Sequence, residues 1–289
     1  MSAPYTTVRG VRIPRLVYGT AWKEERTAAL TRLALESGFR GIDTANQRRH
    51  YFEAAVGEAL QAALDSGTLG RDDVFVQTKF TFLNGHDHRL PYDPKAPVRE
   101  QVAQSFESSL AHLGLDRVDS YVLHGPSMYS GLGPADWEAW QAMEDLQRAG
   151  RTRLIGVSNV SFGQLETLCS KASVKPAVVQ NRTFTRPNAD AEVRQFCERR
   201  SIAYEGFSLL TGNPFMARHP LVHEIAAHKG KTVAQVILRY CLDAGIVVLT
   251  GTTSAEHMTQ DLAIHDFELD LEEREALARL EPHQGETGN

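Results

Sequence analysis

Long hydrophobic runs are missing from this 289-residue sequence. No apolar stretch approaches the ~18 residues that a membrane helix requires, so no membrane partner is expected. The N-terminal MSAPYTTVRG has no apolar core of the kind that directs export, which points to a cytoplasmic protein. Cysteine is scarce: Cys169, Cys197 and Cys241 are odd in number and far apart. That suits packed thiols in a reducing compartment and excludes a disulfide framework. Basic residues are not in excess, with 31 Lys and Arg against 36 Asp and Glu and a net charge of −5. A nucleic-acid partner, which calls for a clustered basic face, is therefore not expected. Gly (22) and Pro (12) are ordinary, which excludes collagen-like and low-complexity chains. No linker rich in Gly, Ser or Pro divides the chain, so residues 1–289 are expected to form one domain, of a size usual for α/β barrels.

What is present is an alternation of element types. Short runs suited to strands occur at 16–22, 41–45, 74–80, 120–125, 154–160, 177–183, 202–210 and 246–252. Most are near-continuously apolar, as strands covered on both faces are. Amphipathic stretches lie between them. Val98, Val102, Phe106 and Leu110 recur every four residues, and Trp137, Trp140, Met143 and Leu146 every three. Val233, Val236, Ile237, Tyr240 and Cys241 follow a helical stripe behind Thr232, a candidate N-cap. Gly38, Gly114 and Gly150 stand where C-terminal glycines end helices. Eight strands each followed by a helix predict an α/β fold, a (β/α)8 TIM barrel. The fragment VRGVRIP ahead of the first strand predicts a short N-terminal β-hairpin closing the floor. A doubly wound open sheet is disfavoured, because only Gly19-Thr20 stands where a G-x-G-x-x-G fingerprint would follow the first strand.

In such barrels chemistry sits at the C-terminal strand ends. Here those ends carry Asp43, Lys79, His124, Ser158-Asn159 and Gln180-Asn181. A single strand-end aspartate is usually a turn residue, but polar groups on five strands converge on one mouth.

GFRGIDTA, VQTKF, YVLHGP, IGVSNV and PAVVQN, in this order, resemble the aldo-keto reductase superfamily, and the resemblance covers roughly Gly10 to Leu280. It implies reversible hydride transfer between a nicotinamide cofactor, usually NADPH, and a small-molecule carbonyl or alcohol, without a metal. A carbonyl that accepts hydride develops negative charge on oxygen, which must be stabilised and protonated. A free tyrosine, with pKa ~10, is a poor acid at neutral pH. A neighbouring ammonium lowers that value, and a carboxylate holds the ammonium. The resemblance assigns these tasks to Asp43, a tyrosine, Lys79 and His124. The plainer readings are a structural ion pair for Asp43 and Lys79 and a core histidine for His124.

The tyrosine departs from the family pattern, D-T-A-x-x-Y-x-N-E-x-x-V-G. The segment here is DTANQRRHYFEAAVG, with Arg48 five residues after Asp43 and Tyr51 eight after. About two residues are inserted. Tyr51 is assigned as the acid, since the family's acid is a phenol and a loop can absorb the shift. His50 is the alternative, with a milder unperturbed pKa of ~6.5. Arg48 and Arg49 beside it either contact an acidic substrate or are simply solvated.

For the cofactor, the resemblance implies Gly19 and Thr20 on strand one, and Ser158, Asn159 and Gln180 on the nicotinamide carboxamide, which both donates and accepts. Phe207 matches the ring that stacks on the nicotinamide, with Ser208 and Leu210 near the pyrophosphate. At the end of strand eight, Gly251 and Thr252 stand where many NADPH-using relatives have lysine and serine, and His257 replaces an arginine. Thr252, Thr253 and Ser254 can still donate to a phosphate at a helix N-terminus. Gln260 and Asp261 match adenine contacts. NADPH is placed ahead of NADH. Trp22, His50 and Phe80 are implied to line the substrate site. The short tail EPHQGETGN predicts an open pocket. His86-Asp87-His88 offers too few rigid ligands for zinc, so no metal is expected and the segment is read as exposed or substrate-lining. Two further functions stay open: a cofactor-binding sensor with little turnover, suggested by the altered Tyr51 spacing, and a lyase or isomerase using Lys79 as a Schiff-base amine.

Overall fold

The computed structural model of the chain describes residues 4–183 and 190–280. Two antiparallel strands, β1 (Tyr5–Val8) and β2 (Val11–Pro14), form the hairpin. Eight parallel strands follow: β3 (Leu16–Gly19), β4 (Gly41–Asp43), β5 (Phe75–Phe80), β6 (Val118–Leu123), β7 (Thr152–Ser158), β8 (Val178–Arg182), β9 (Ala203–Phe207) and β10 (Val247–Thr250). They close in sequence order, with β10 paired to both β9 and β3. The expected barrel and hairpin are therefore what the chain forms. Several strands are shorter than the apolar runs suggested. The first stops at Gly19 and the seventh at Phe207, and Trp22 and Ser208 beyond them take positive φ values of 61° and 59°, which no strand accommodates.

The helices are α1 (Thr27–Ser37), α2 (Glu53–Asp65), α3 (Val98–Leu113), α4 (Pro134–Arg148), α5 (Phe162–Lys171), α6 (Ala191–Arg199), α7 (Pro214–Arg218), α8 (Pro220–Lys229), α9 (Val233–Asp243), α10 (Ala255–Leu262) and α11 (Leu271–Ala278). Among the described residues no helix is long and apolar enough to cross a membrane. The predicted caps form: the Thr232 hydroxyl accepts from the Gln235 amide at the start of α9, and Gly38 ends α1 at φ 115°. Gly57 is required for a different reason. A Cβ there would lie 1.9 Å from the His112 carbonyl oxygen, so only glycine lets α2 and α3 pack this closely.

The two-residue period of each strand sorts the core into layers. Outward residues such as Tyr18, Ile42, Val76, Phe80, Tyr121 and Val179 pack under the helices with Phe106 and Trp140. Inward residues at the lower end, including Val17, Leu154, Val178 and Val247, meet Val8, Val11 and Ile13 of the hairpin, which plugs the floor. At the upper end the inward positions are polar: Asp43, Gln77, Lys79, Gln180 and Glu205, all buried. The apolar plug below and the polar layer above give the barrel one closed end and one chemical end.

Candidate active site

Asp43 ends β4 and Lys79 lies near the end of the neighbouring β5, both facing the barrel axis. The Lys79 ammonium is fully buried and donates to Asp43 Oδ1 (2.6 Å), Asp43 Oδ2 (2.7 Å) and the Thr44 carbonyl (2.8 Å). Burial alone would lower its affinity for a proton, but Asp43 first, then Tyr51, more than offset this and hold it above the ordinary lysine range. It is a fixed cation.

Tyr51 reaches that cation. The Lys79 ammonium lies 5.2 Å from the centre of its ring. Burial pushes the phenol above its usual pKa, against the lowering pull of Lys79. The two extra residues are absorbed by a single helical turn: the Gln47 carbonyl accepts from the amides of His50 (3.2 Å) and Tyr51 (3.0 Å). Three contacts pin this turn. Gln47 Nε2 donates to the Gly85 carbonyl at 2.6 Å, Asn46 Nδ2 to the Ser105 carbonyl at 3.0 Å, and the Trp22 amide to the His50 carbonyl at 2.7 Å. A tight turn shortens the path of the chain, so a longer segment delivers its side chain to the same point.

His124, just past β6, completes the group. Its ring lies 5.8 Å from that of Tyr51, centre to centre. Burial first, then the neighbouring Lys79, push its pKa down to about 3, so the imidazole is neutral. Nδ1 pairs with the Thr81 hydroxyl at 2.7 Å, which leaves Nε2 for a ligand. His50 sits elsewhere: its ring stacks at 4.0 Å on Trp22, which is 68% exposed at the rim. Arg48 is accounted for by ion pairs to Glu25 (3.2 Å) and Glu24 (3.8 Å) and by stacking on Phe52.

The residues implied for the cofactor occupy the rest of the mouth. In barrel order they run along one continuous arc: Ser158 and Asn159 at the end of β7, Gln180 on β8, Phe207 and Ser208 at the end of β9, Thr252 and Thr253 after β10, and Gly19 and Thr20 at the end of β3. The four acid-base candidates fill the opposite arc, β4 to β6. Asn159 and Ser208, like Trp22, hold left-handed backbone, at φ 51° and 59°. Asn159 is exposed, while its amide donates to the His124 carbonyl at 2.8 Å. Phe207 and Leu210 are half-buried. Thr252, Thr253 and Ser254 lead into α10, where the Ser254 hydroxyl caps the helix by accepting from the His257 amide. His257 is exposed and Gln260 half-buried on the same helix.

Several of the residues implied for the site are held by partners within the protein. Phe80 is fully buried and packs on Phe82 and Tyr92, at 5.2 and 5.7 Å, beneath the helices. Next to the inward Lys79 it must face outward, so it is a core residue and does not line the substrate site. Asp261 is buried against Thr250, whose hydroxyl donates to it at 2.6 Å. The Gln180 nitrogen is turned into the barrel, donating to Asp43 (3.0 Å) and Glu205 (2.8 Å). Thr20 is buried, with its hydroxyl on the Asp43 carbonyl at 2.9 Å. Asn181 holds the backbone of Val160 and the Asp190 carboxylate. His86 is buried, not exposed, and its Nε2 meets the Thr81 carbonyl at 3.0 Å. Among the described residues no cluster of three or more His, Cys, Asp or Glu could hold a metal ion. The tail on which the open-pocket expectation rests lies outside the described residues.

Three site residues carried no recognised signal. Gln77 and Glu205 lie inside apolar strands, and Gln77 precedes Lys79 by two, which alone puts it on the inner face. Lys23 follows Trp22. It is buried and donates to the Gly251 carbonyl, and burial, then Arg26, push its ammonium down to about 8.

The profile of the Aldo/keto reductase family matches residues 15–282. The chain belongs to that family. An uncharacterized oxidoreductase of Bacillus subtilis, YtbE, is 32% identical over 273 residues, 93% of this chain and 89% of the relative. Among solved structures, an aldo-keto reductase of Bombyx mori in complex with NADP superposes with a TM-score of 0.80 at 27% identity, covering 96% of this chain and 92% of the other. An aldo-keto reductase complexed with NADPH gives 0.82 at 26% identity, over 97% and 88%. A cavity of about 410 Å3 at the end of the barrel opposite the mouth is lined by Arg12, Arg40, Arg117, Arg153 and Asp119, and Asp119 there is ion-paired with Arg153 at 3.2 Å.

Proposed function

We propose that this chain is an NADPH-dependent reductase of aldehydes or ketones, reversible toward the alcohol, with Tyr51 as the proton donor. The observation that carries it is the Tyr51 phenol, its ring 5.2 Å from a buried ammonium that a carboxylate holds in place.

The donor set of the mouth suits a dinucleotide. Amide and hydroxyl groups stand on β7 and β8, an aromatic ring on β9, and hydroxyls at the start of α10, where a helix dipole favours a phosphate. Ser158, Asn159 and the Gln180 carbonyl oxygen would hold the carboxamide, Phe207 would cover the ring, and Thr252 with Thr253 would meet a phosphate. Lys23 brings a cation to the end of β10, which supports NADPH over NADH. When bound, the cofactor supplies the hydride.

The chain's own residues do the rest. His124, neutral, donates from Nε2 to the carbonyl oxygen and orients it; Thr81 fixes the tautomer by accepting from Nδ1 when Nε2 is to accept, or donating to it when Nε2 carries the proton, the second being the arrangement reduction needs. Tyr51 passes its proton to the developing alkoxide. Lys79 then stabilises the phenolate, and Asp43 keeps Lys79 charged. Held as an ammonium by Asp43, Lys79 has no free lone pair for a Schiff base.

The rim indicates the substrate class. Trp22, Leu83, Met128 and Tyr129 are exposed on loops that follow β3, β5 and β6, around the acid-base arc. Exposed apolar groups grouped at a mouth favour a carbonyl compound with an apolar or aromatic body. The test is calorimetric titration with NADPH and NADH at fixed salt, followed by NADPH consumption with aromatic aldehydes. Tighter NADPH binding and turnover are expected. Tight binding with no turnover across a broad carbonyl panel would favour the sensor function instead.

A further inference from the structure

Beneath the Asp43–Lys79 pair lies a second buried carboxyl that the reaction scheme does not use. Glu205 projects inward from β9 and is fully buried. Its Oε2 accepts from Gln77 Nε2 at 2.6 Å and from Gln180 Nε2 at 2.8 Å. Each of these amide nitrogens gives its other hydrogen to Asp43 Oδ1, at 2.9 and 3.0 Å. Two carboxyls are thus bridged by two amides, while one ammonium contacts only Asp43. Glu205 Oε1 is buried with no hydrogen-bond partner, and so is Gln77 Oε1. A bare carboxylate oxygen in that position costs far more than a protonated one.

We propose that Glu205 is a positioning residue for the Lys79–Tyr51 pair: a proton-carrying carboxyl, bridged to Asp43 through Gln77 and Gln180, whose loss of the proton adds a second negative charge under Lys79 and makes the Tyr51 phenol a weaker acid. This rests on the proposed role of Tyr51. The charged groups that face Glu205 are Asp43 from β4 and Lys79 from β5. From the flanking strands, β8 sets Gln180 and β10 sets Val247 opposite it. Burial first, then repulsion from Asp43, push its carboxyl up to about 7, against the two amide donors and Lys79. The charge therefore changes within the working pH range.

Glu205→Gln tests this, because its carbonyl can replace Oε2 and its NH2 can occupy the place of Oε1, mimicking the protonated acid. Two readouts separate the claims. Ultraviolet titration, taken as wild type minus Tyr51→Phe, reports the phenol without any turnover. In Glu205→Gln the phenolate is expected at lower pH, by about one unit, a tenfold change in acidity. In the rate profile, wild-type reduction is expected to fall several-fold between about pH 6 and 8 as Glu205 loses its proton. That limb should vanish in Glu205→Gln and persist, displaced, in Glu205→Asp, which also serves if the Gln variant does not fold. Phenol titrations that coincide in wild type and Glu205→Gln, or an unmoved rate limb, would overturn the proposal and leave Glu205 a structural bridge. A shifted phenol in a protein that reduces no carbonyl would instead support the tuning and reject the reductase function.

Discussion

Removing one partner of the Asp43–Lys79 pair is expected to cost far more than removing both. At 2.6 Å and an effective dielectric of ~20, their attraction is on the order of 6 kcal/mol before desolvation. Both groups are buried, so most of that gain offsets the loss of water and the net contribution of the pair is small. A single substitution leaves the other charge uncompensated. Asp43→Asn strands the Lys79 ammonium, and Lys79→Met strands the Asp43 carboxylate among the Gln77 and Gln180 amides and near Glu205. Each should lower the unfolding free energy by about 3–5 kcal/mol in urea denaturation. The double variant Asp43→Asn/Lys79→Met should recover part of the loss, with a coupling of at least about 2 kcal/mol. Turnover should behave differently. Without the ammonium there is nothing to acidify Tyr51, so carbonyl reduction should drop by roughly 10²–10⁴-fold in Lys79→Met and stay low in the double variant. Single-variant losses that simply add, to within about 0.5 kcal/mol, would show that the pair is not the coupled element of this site.

Other consequences can be checked alongside. His50→Gln should keep the rate constant for turnover within a few-fold while raising KM, because the ring stacks on the rim residue Trp22 and not on Lys79; steady-state kinetics decide. Phe80→Ala should destabilise the fold by about 3–5 kcal/mol with little change in substrate KM, as expected of a core ring. Gly57→Ala should lower the melting temperature through the clash with the His112 carbonyl, a cost of about 1–3 kcal/mol or more. The folded pKa of His124, about 3, lies below its ordinary 6.5, so the unfolded chain binds the extra proton as pH falls below that ordinary value. Its contribution to stability is thus present above about pH 6.5 and lost on acidification toward 3; His124→Gln should lose less stability than wild type between pH 7 and 4.5, measured by urea midpoints.

Periodicity made the barrel legible. Buried parallel strands read as apolar runs, the helices between them as stripes, and VRGVRIP as a hairpin, because each follows from which faces are covered. Strand ends were less legible, since residues such as Trp22 and Ser208 stay apolar or neutral while their backbone turns left-handed. In the site, Asp43, Lys79 and His124 stood out as polar groups closing apolar runs. Tyr51 needed the family pattern as well, and its arrival at Lys79 depends on a turn whose compactness spacing alone does not specify. The outward placement of Phe80 is legible in the strand itself: with Lys79 facing inward, the next residue faces outward. Gln77 and Glu205 are not legible in this way, because a polar residue inside an apolar strand declares itself only when its neighbours across the barrel are known. Asp261 and the Gln180 nitrogen show the same limit, since what a side chain bonds depends on partners far away in sequence.

Single-turnover reduction by Tyr51→Phe, with NADPH binding measured by fluorescence on the same sample, bears most directly on how the proton is delivered. The variant should bind NADPH as the wild type does and lose turnover by roughly 10²–10⁴-fold. A variant that binds NADPH and still reduces the carbonyl at close to the wild-type rate would show that the proton comes from elsewhere.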